Sequence, residues 1–163
     1  MKNPPEKDVK EFLRESNAIE GVYDDESFDQ AMLAWDYLYN QDVLTLDVIK
    51  QTHNILMKNS DLRESEIGKF RTIDVWVGRH RGFTPKSIEP NLLMRFCFEC
   101  MRASPPPEWQ QLHVIYEKIH PFVDGNGRTG RMFMNWTRVK RCGLPLLIIK
   151  ESERQEYYQW FRT

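Results

Sequence analysis

The chain has 163 residues, of which 40% are hydrophobic and 29% are charged, and its formal net charge is −1. This length suits one compact domain, and the balanced charge argues against a protein that coats nucleic acid, a class that usually shows a strong basic excess. No apolar run approaches the roughly 18–20 residues of a membrane-spanning helix, and the first residues lack the apolar stretch of a secretion signal. Three cysteines suit a reducing compartment better than a disulfide framework. We therefore expect a soluble cytoplasmic domain without nucleic-acid or membrane partners, and we leave open whether it forms a homo-oligomer.

Helical periodicity dominates the chain, because apolar residues recur at three- and four-residue steps along most of it. The segments with this spacing lie near residues 9–16, 28–38, 46–56, 92–100, 112–119, 127–142 and 152–161. Gly21 and Gly143 are natural helix stops, and Ser87 is a candidate N-cap. Ser152 and Gln155 have the spacing of a capping box for the last helix.

One segment has the pattern of a strand instead. Thr72–Val77 is rich in β-branched residues and alternates in polarity, whereas Gly78–Gly82 has the composition of a turn. Phe83 and Thr84 are candidates for a short return strand. The sequence therefore predicts an α-helical bundle that carries one β-hairpin.

The stretch 120–131 combines a helix end, a polar glycine-rich loop and a new helix start. Pro121 prevents continuation of the preceding helix. Gly125 and Gly127 permit positive φ angles and a close approach of the backbone to a ligand. The first N–H groups of the new helix have no intrahelical acceptor and lie at its positive end, which favours the binding of an anion.

Four side chains of this stretch add chemistry to that anion site. Arg128 and Arg131 are three residues apart on a helix and can contact the same phosphate group. Asp124 offers a hard oxygen ligand for Mg²⁺, and His120 can accept a proton near neutral pH. Each feature alone is usually structural: a histidine at a helix end, a glycine turn or a solvated arginine face. Their concentration in twelve residues indicates a phosphate-transfer site.

This stretch, HPFVDGNGRTGR, resembles the signature of the Fic-domain family, with every defined position filled. Gly68–Arg71 and Val75–Gly78 also resemble the lead-in and the flap hairpin of that family. The resemblance implies an all-α fold, the Fic-fold helical bundle with a short β-hairpin flap. We expect a core domain over residues 28–163, preceded by an N-terminal segment, residues 1–27, which carries an inhibitory helix and packs with the core as a single compact unit.

The resemblance also implies an activity, the transfer of AMP from Mg·ATP to a hydroxyl group of a target protein. His120 would be the base that deprotonates the hydroxyl, Phe122 would anchor the loop in the core, and Asp124 would hold Mg²⁺. The intact loop argues against the Doc-like branch of the family, in which a changed loop accompanies phosphate transfer.

The remaining loop positions would bind the phosphates of ATP. Asn126, with the amides of Gly125 and Gly127, would stabilise charge on the α-phosphoryl oxygens. Arg128 would contact the β-phosphate side, and Arg131 the γ-phosphate.

An N-terminal segment resembles the inhibitory motif of the same family. It runs from Ser16 to Gly21 with the sequence SNAIEG. The resemblance implies that Glu20 pairs with Arg131 and so blocks productive binding of ATP. Ser16 lies one turn before Glu20 and is expected to orient it by a hydrogen bond. A carboxylate in the last turn of a helix is disfavoured by the helix dipole, so helix stability gives no reason for Glu20.

The flap is expected to align a segment of the target protein by main-chain hydrogen bonds. Its docking residues would be Ile73, Asp74, Val75, Trp76 and Val77. Other candidates have simpler interpretations. Cys97 and Cys100 lack a second metal-binding pair and are expected to be buried thiols, while His53 and His113 are expected to be helix-packing or surface residues.

Three alternatives to AMP transfer remain open from the sequence. A Fic-fold enzyme can transfer another phosphate-linked group, or remove AMP from a target with help from the inhibitory glutamate. The third alternative is a nucleotide-binding module without catalysis, which has no need of His120. Neither the target protein nor the type of hydroxyl that is modified follows from the sequence.

Overall fold

The helices of the chain follow the predicted order. The computed structural model describes residues 2–77, 80–82, 84–85, 88–102, 105 and 107–162. The α-helices of these residues are α1 (Glu6–Ile19), α2 (Asp25–Tyr39), α3 (Leu46–Leu56), α4 (Met94–Met101), α5 (Trp109–Ile119), α6 (Asn126–Lys140) and α7 (Arg154–Tyr158). A π-helical stretch, Ile88–Leu93, leads into α4, and the 3₁₀ turns Glu151–Glu153 and Gln159–Phe161 flank α7. Among the described residues, no helix has both the length and the apolar character needed to cross a membrane.

Local side-chain chemistry explains where the early helices begin and end. The Asp24 carboxylate accepts a hydrogen bond from the Ser27 N–H, 2.9 Å, at the start of α2. Thr45 Oγ1 accepts one from the Val48 N–H, 3.2 Å, at the start of α3. After α1 the chain turns at Gly21, whose φ of 73° is left-handed. The predicted stop at Gly21 is confirmed.

Helix α6 is the centre of the bundle. All of its residues except Gly127 and Lys140 are buried, and it packs against α1, α2, α3 and α5. A helix that is buried on every side must satisfy its polar groups internally, and the Trp136 indole does so by donating to the Gln41 carbonyl, 3.0 Å. The position of α6 places the start of this helix, with the glycine-rich loop before it, against several other elements.

Helix α1 belongs to the hydrophobic core. Phe12 and Leu13 are buried in the main apolar cluster, and the Phe12 ring meets Trp35 edge-on at 5.5 Å between centroids. At the other end of α1, Ile19 packs into a second, smaller cluster with Met134. The N-terminal segment is therefore part of the packed bundle, while the domain boundary at residue 28 stays a prediction.

The β-hairpin is shorter than predicted. Strands β1 (Trp76–Val77) and β2 (His80–Arg81) pair antiparallel, with Trp76 opposite Arg81. The expected strand over Thr72–Val77 is therefore wrong over residues 72–75, because the Arg71 side chain takes the Ile73 carbonyl, 2.7 Å, in place of a neighbouring strand. The return strand lies at His80–Arg81, and Thr84, the described residue of the predicted return strand, is not in a strand.

Some predicted details of the hairpin and of the later helices differ or lie elsewhere. Gly78, Arg79, Phe83 and Ser87 fall outside the described residues. The last helix does not use the predicted Ser152 capping box. Instead, Glu153 accepts from the Lys150 N–H, 3.1 Å, because the segment begins as a 3₁₀ turn at Glu151.

The two helical cysteines are core residues. Cys97 and Cys100 are free and buried on α4. Burial in an apolar environment disfavours a thiolate and raises the pKa of Cys97 to about 12. These features support the interpretation as packing thiols over a redox or metal-binding pair.

Candidate active site

The loop between α5 and α6 has a backbone that few sequences can adopt. His120 ends α5 in the left-handed region, with φ 52° and ψ 63°, and its N–H closes the helix on the Tyr116 carbonyl, 2.9 Å. Gly125 opens α6 with φ 84°. A methyl group at Gly125 would lie 2.9 Å from Met57 Sδ and 3.3 Å from His53 Nε2. Glycine is therefore required at position 125 both for its φ angle and for the available space.

Two side chains brace the loop from inside. Phe122 is fully buried and stacks face to face on the His53 ring, with 3.7 Å between centroids and 9° between planes. The Asn126 side chain accepts from the Phe122 N–H, 2.9 Å, and donates to the Phe122 carbonyl, 2.8 Å. The Asn126 amide thus holds the loop, and its contact with the α-phosphoryl oxygens stays a prediction. The anchoring of Phe122 agrees with its predicted place.

His53 is a structural support that the sequence analysis did not assign to the site. Its Nδ1 accepts from the Gly68 N–H, 2.9 Å, so its proton lies on Nε2, which donates to the Asp124 carbonyl, 2.8 Å. Burial lowers the pKa of His53 to about 4, which keeps the ring neutral and this tautomer fixed. The separation of 71 residues between His53 and Asp124 left no local signal for this contact.

Arg71 ties the loop to the base of the flap. This guanidinium is buried and donates from Nε to the His120 carbonyl, 2.6 Å, and from Nη2 to the Ile119 carbonyl, 3.2 Å. Its Nη1 donates to the Ile73 carbonyl, and its backbone N–H to the Pro121 carbonyl, 2.9 Å. One buried cation therefore fixes the end of α5, the loop and the segment that leads into β1.

His120 is held in the tautomer that a general base requires. It is half-buried, and its Nδ1 lies 3.2 Å from the Glu117 carbonyl, an acceptor that demands a proton on Nδ1. The lone pair is then on Nε2. Burial lowers the pKa of His120 below its ordinary value of 6.5, and the positive charge of Arg71 acts in the same direction. The imidazole is accordingly neutral at pH 7 and able to accept a proton.

This protonation state can be measured directly. In the free protein, we expect the His120 ring to titrate with a midpoint below 6.5, so that its neutral form persists as pH falls through neutrality. Nitrogen-15 NMR of the four histidines checks this, with the His120 signal assigned by its loss in His120→Asn. His53 serves as an internal control, since its signal should stay neutral to a lower pH. A His120 midpoint above 6.5 would contradict the assignment.

The two predicted arginines are both buried at the start of α6. Arg128 contacts Met57 Sδ through Nη2, 3.3 Å, and within the described part of the chain its Nε is buried without a hydrogen-bond partner. Asp124 lies at the exposed rim of the loop and accepts from the Gly125 N–H, 2.7 Å. Buried positive charge beside unpaired helix N–H groups is an environment that binds phosphate.

Arg131 is paired with the N-terminal helix, as the motif predicts. Its Nη2 lies 2.8 Å from Glu20 Oε1, and the Arg131 side chain is 2% exposed against 37% for Glu20. Ser16 acts on Arg131 rather than on Glu20, because its Oγ accepts from Arg131 Nε, 2.8 Å, and its carbonyl accepts from Nη2, 3.0 Å. Ser16 and Glu20 therefore both accept hydrogen bonds from Arg131, in place of the predicted hydrogen bond from Ser16 to Glu20.

The Glu20 carboxylate lies directly over the start of α6. A methyl group at Gly127 would overlap with Glu20 Oε1 and would lie 3.1 Å from Arg131 Nη1. The carboxylate thus occupies the position where a helix N-terminus and a guanidinium together attract an anion. Glu20 itself follows the last residue of α1, Ile19, as its C-cap.

Glu117 is a buried acid that the sequence analysis did not single out. Its Oε1 has no hydrogen-bond partner among the described residues, and a methyl group at Gly130 would lie 2.6 Å from that oxygen. Burial raises the pKa of Glu117 to about 7, while the charge of Arg131 opposes the rise. No sequence pattern marks it, because the residue faces α6 across the bundle.

Comparison with known proteins identifies the family of this chain. The model of the Fic/DOC family matches residues 43–137. The chain belongs to the Fic/DOC family. Its Fic fold is also that of solved structures: a Fic-domain signalling protein from Bacteroides thetaiotaomicron aligns over 94% of this chain and 70% of its own, with a TM-score of 0.77 and 19% identity. A Fic protein from Desulfovibrio desulfuricans aligns over 96% of this chain and 55% of its own, with a TM-score of 0.74 and 20% identity.

Curated Fic relatives are more similar in sequence. "Protein adenylyltransferase Fic" of Drosophila grimshawi is 35% identical over 124 residues, 73% of this chain and 25% of the relative. The protein of the same name from Aedes aegypti is 32% identical over 133 residues, 75% of this chain and 25% of the relative. The chain therefore spans about a quarter of the length of these relatives. Of the predicted docking residues 73–77, residues 73–75 lie outside strand β1, and Trp76 and Val77 form that strand.

Proposed function

We propose that this chain is a protein adenylyltransferase that moves AMP from Mg·ATP to a hydroxyl group of a target protein. The observation that carries the proposal is the braced loop, in which a neutral His120 ends α5 and two buried arginines follow at the start of α6. The name of the curated relatives, protein adenylyltransferase, supports the same reaction. The cytoplasmic location remains a prediction.

In this reaction the target oxygen bonds to the α-phosphorus while the bond to the α,β-bridging oxygen breaks, and pyrophosphate leaves with that electron pair. His120 Nε2 takes the hydroxyl proton, a contribution of about 10²–10⁴ in rate. Arg128, Arg131 and the N–H groups that open α6 hold the negative charge of the phosphates. Arg71 and His53 fix the loop before ATP binds. His120 and the phosphate-binding groups therefore need no rearrangement during the reaction.

Asp124 is the residue that would hold Mg²⁺. Its carboxylate is exposed at the mouth of the loop, and one carboxylate together with phosphate oxygens is a common donor set for Mg²⁺. The ion would supply positive charge beside the α- and β-phosphates. Among the described residues no group of three acidic, histidine or cysteine side chains could hold a metal ion.

Glu20 is the proposed brake on this reaction. It neutralises Arg131, the cation that would receive the γ-phosphate, and its Oε1 lies where a phosphate would approach Gly127. Bound ATP must displace this carboxylate or place its γ-phosphate elsewhere. The α-phosphorus is then not aligned with His120, so transfer is slow.

The flap is the proposed docking edge for the target. Ile73 and Trp76 expose 55% and 70% of their surfaces, although both are large and apolar. Exposed apolar side chains next to a two-residue strand are a suitable surface for an added peptide strand. Arg71 links this edge to the loop of His120, so a docked target would lie beside the base.

The transferred group can be identified with ATP that carries ³²P either at the α-phosphate or at the γ-phosphate. We expect the protein to label itself weakly with α-³²P ATP and not at all with γ-³²P ATP, because AMP keeps only the α-phosphate. Phosphor imaging of a denaturing gel measures both. Label from γ-³²P alone would instead show phosphate transfer. ATP binding without either label, in both the parent and the Glu20→Gly protein, would indicate a non-catalytic module.

A further inference from the structure

The C-terminal helix reaches into the proposed phosphate site. Tyr157 on α7 is buried, and its hydroxyl lies 3.2 Å from Arg131 Nη1 and 2.7 Å from His113 Nε2. Arg131 also lies over the Tyr157 ring, with 5.6 Å from Cζ to the centroid. Tyr157 therefore combines packing in the smaller apolar cluster with a polar contact to Arg131.

The direction of the hydrogen bond between Arg131 and Tyr157 is fixed. A guanidinium can only donate, so the Tyr157 oxygen accepts from Arg131 Nη1. The Tyr157 hydroxyl and His113 Nε2 share a second hydrogen bond, whose direction is set by the tautomer of His113. Burial and the nearby Arg131 charge lower the pKa of His113 to about 3, so the imidazole is neutral. Burial also raises the pKa of Tyr157, so the phenol keeps its proton.

The partners of Arg131 divide into two groups. Ser16 and Glu20, both from the N-terminal segment, take Nε and Nη2, whereas Tyr157 takes Nη1. If Glu20 moves away, the hydrogen of Arg131 Nη2 that it accepts becomes available to a phosphate. The hydrogen bonds of Nη2 to the Ser16 carbonyl and of Nη1 to Tyr157 are unaffected. Tyr157 is well placed to keep this contact, because its ring is locked in the small apolar cluster with Met134.

We propose that Tyr157 is a positioning residue for triphosphate binding: backed by His113, it holds Nη1 of Arg131 so that Nη2 faces the γ-phosphate once Glu20 has moved. The inference rests on the proposed function of the site. It makes the C-terminal segment part of nucleotide recognition, with specificity for a third phosphate as its consequence.

The test compares ATP with ADP, because ADP lacks the phosphate that Arg131 would bind. In a Glu20→Gly background, Tyr157→Phe removes the hydroxyl and keeps the ring. We expect this change to weaken Mg·ATP binding by about tenfold, the scale of one hydrogen bond to a charged group, and to leave Mg·ADP binding unchanged. Isothermal titration calorimetry measures both affinities, and a melting curve checks the fold.

Tyr158→Phe is the matched control, since Tyr158 is the neighbouring, exposed tyrosine and its replacement should affect the binding of neither nucleotide. His113→Phe removes the hydrogen-bond partner behind Tyr157 and should weaken ATP binding selectively by a smaller factor, so it also provides a second variant if Tyr157→Phe does not fold. Equal weakening of ATP and ADP, or no change in either, would overturn the inference. Absence of any ATP binding in Glu20→Gly alone would instead count against the proposed function.

Discussion

Replacement of His120 is expected to reduce AMP transfer by about 10²–10⁴, to a level that is undetectable by self-labelling. The reason is that the variant loses the only proposed acceptor for the hydroxyl proton. We suggest His120→Asn rather than alanine, because the position has φ 52° and asparagine adopts this region more readily than alanine. Incorporation of α-³²P from ATP, in a Glu20→Gly background, is the measurement.

Two controls separate loss of the base from loss of the loop. The melting temperature should remain close to that of the parent, because Arg71 contacts the His120 backbone rather than its ring. Affinity for Mg·ATP should also be retained, since the phosphate-binding groups are untouched. A His120→Asn protein that binds ATP and still labels itself at the rate of its background would rule out His120 as the base.

Glu20→Gly is expected to increase self-labelling by about ten- to a hundredfold. The change removes a carboxylate 2.8 Å from Arg131 Nη2, and a hydrogen bond to a charged group of this kind contributes about 1.5–3 kcal/mol. Arg131 keeps its contacts with Ser16 and Tyr157, so the guanidinium should remain in place for the γ-phosphate. Initial rates of α-³²P incorporation measure the change.

Graded variants make the interpretation sharper. Glu20→Gln keeps the shape and an acceptor oxygen but removes the charge, so its rate should lie between those of the parent and Glu20→Gly. Asp25→Asn removes one negative charge from a carboxylate that is 93% exposed and 4.0 Å from Arg14, and it should have no effect. Glu20→Gly that labels no faster than the parent would contradict the brake.

The sequence predicts those features that are determined by residues close together in the chain. The helix stop at Gly21 and the turn at Gly125 follow from glycine chemistry at a single position. The pairing of Glu20 with Arg131 spans 111 residues and was available only through the resemblance to the family. Local chemistry thus located the loop, and the resemblance supplied its long-range partner.

Contacts between distant elements could not be predicted in the same way. Arg71 binds carbonyls 48 and 49 residues away, and backbone carbonyls carry no sequence signal. His53 and Tyr157 have apolar neighbours that predict packing, so their hydrogen bonds were missed. The predicted strand that ends at Val77 was too long, because β-propensity takes no account of the Arg71 side chain that binds the Ile73 carbonyl.

The absence of a side chain at position 127 limits how regulation can be lost by mutation. Any larger residue at position 127 would displace the Glu20 carboxylate and would also fill the space that a phosphate needs in its place. A selection for hyperactive alleles should therefore recover substitutions at codon 20 and none at codon 127. The Glu20 carboxylate and the phosphate compete for the same space at the start of α6, so changes in the N-terminal helix can alter this competition without filling the phosphate site.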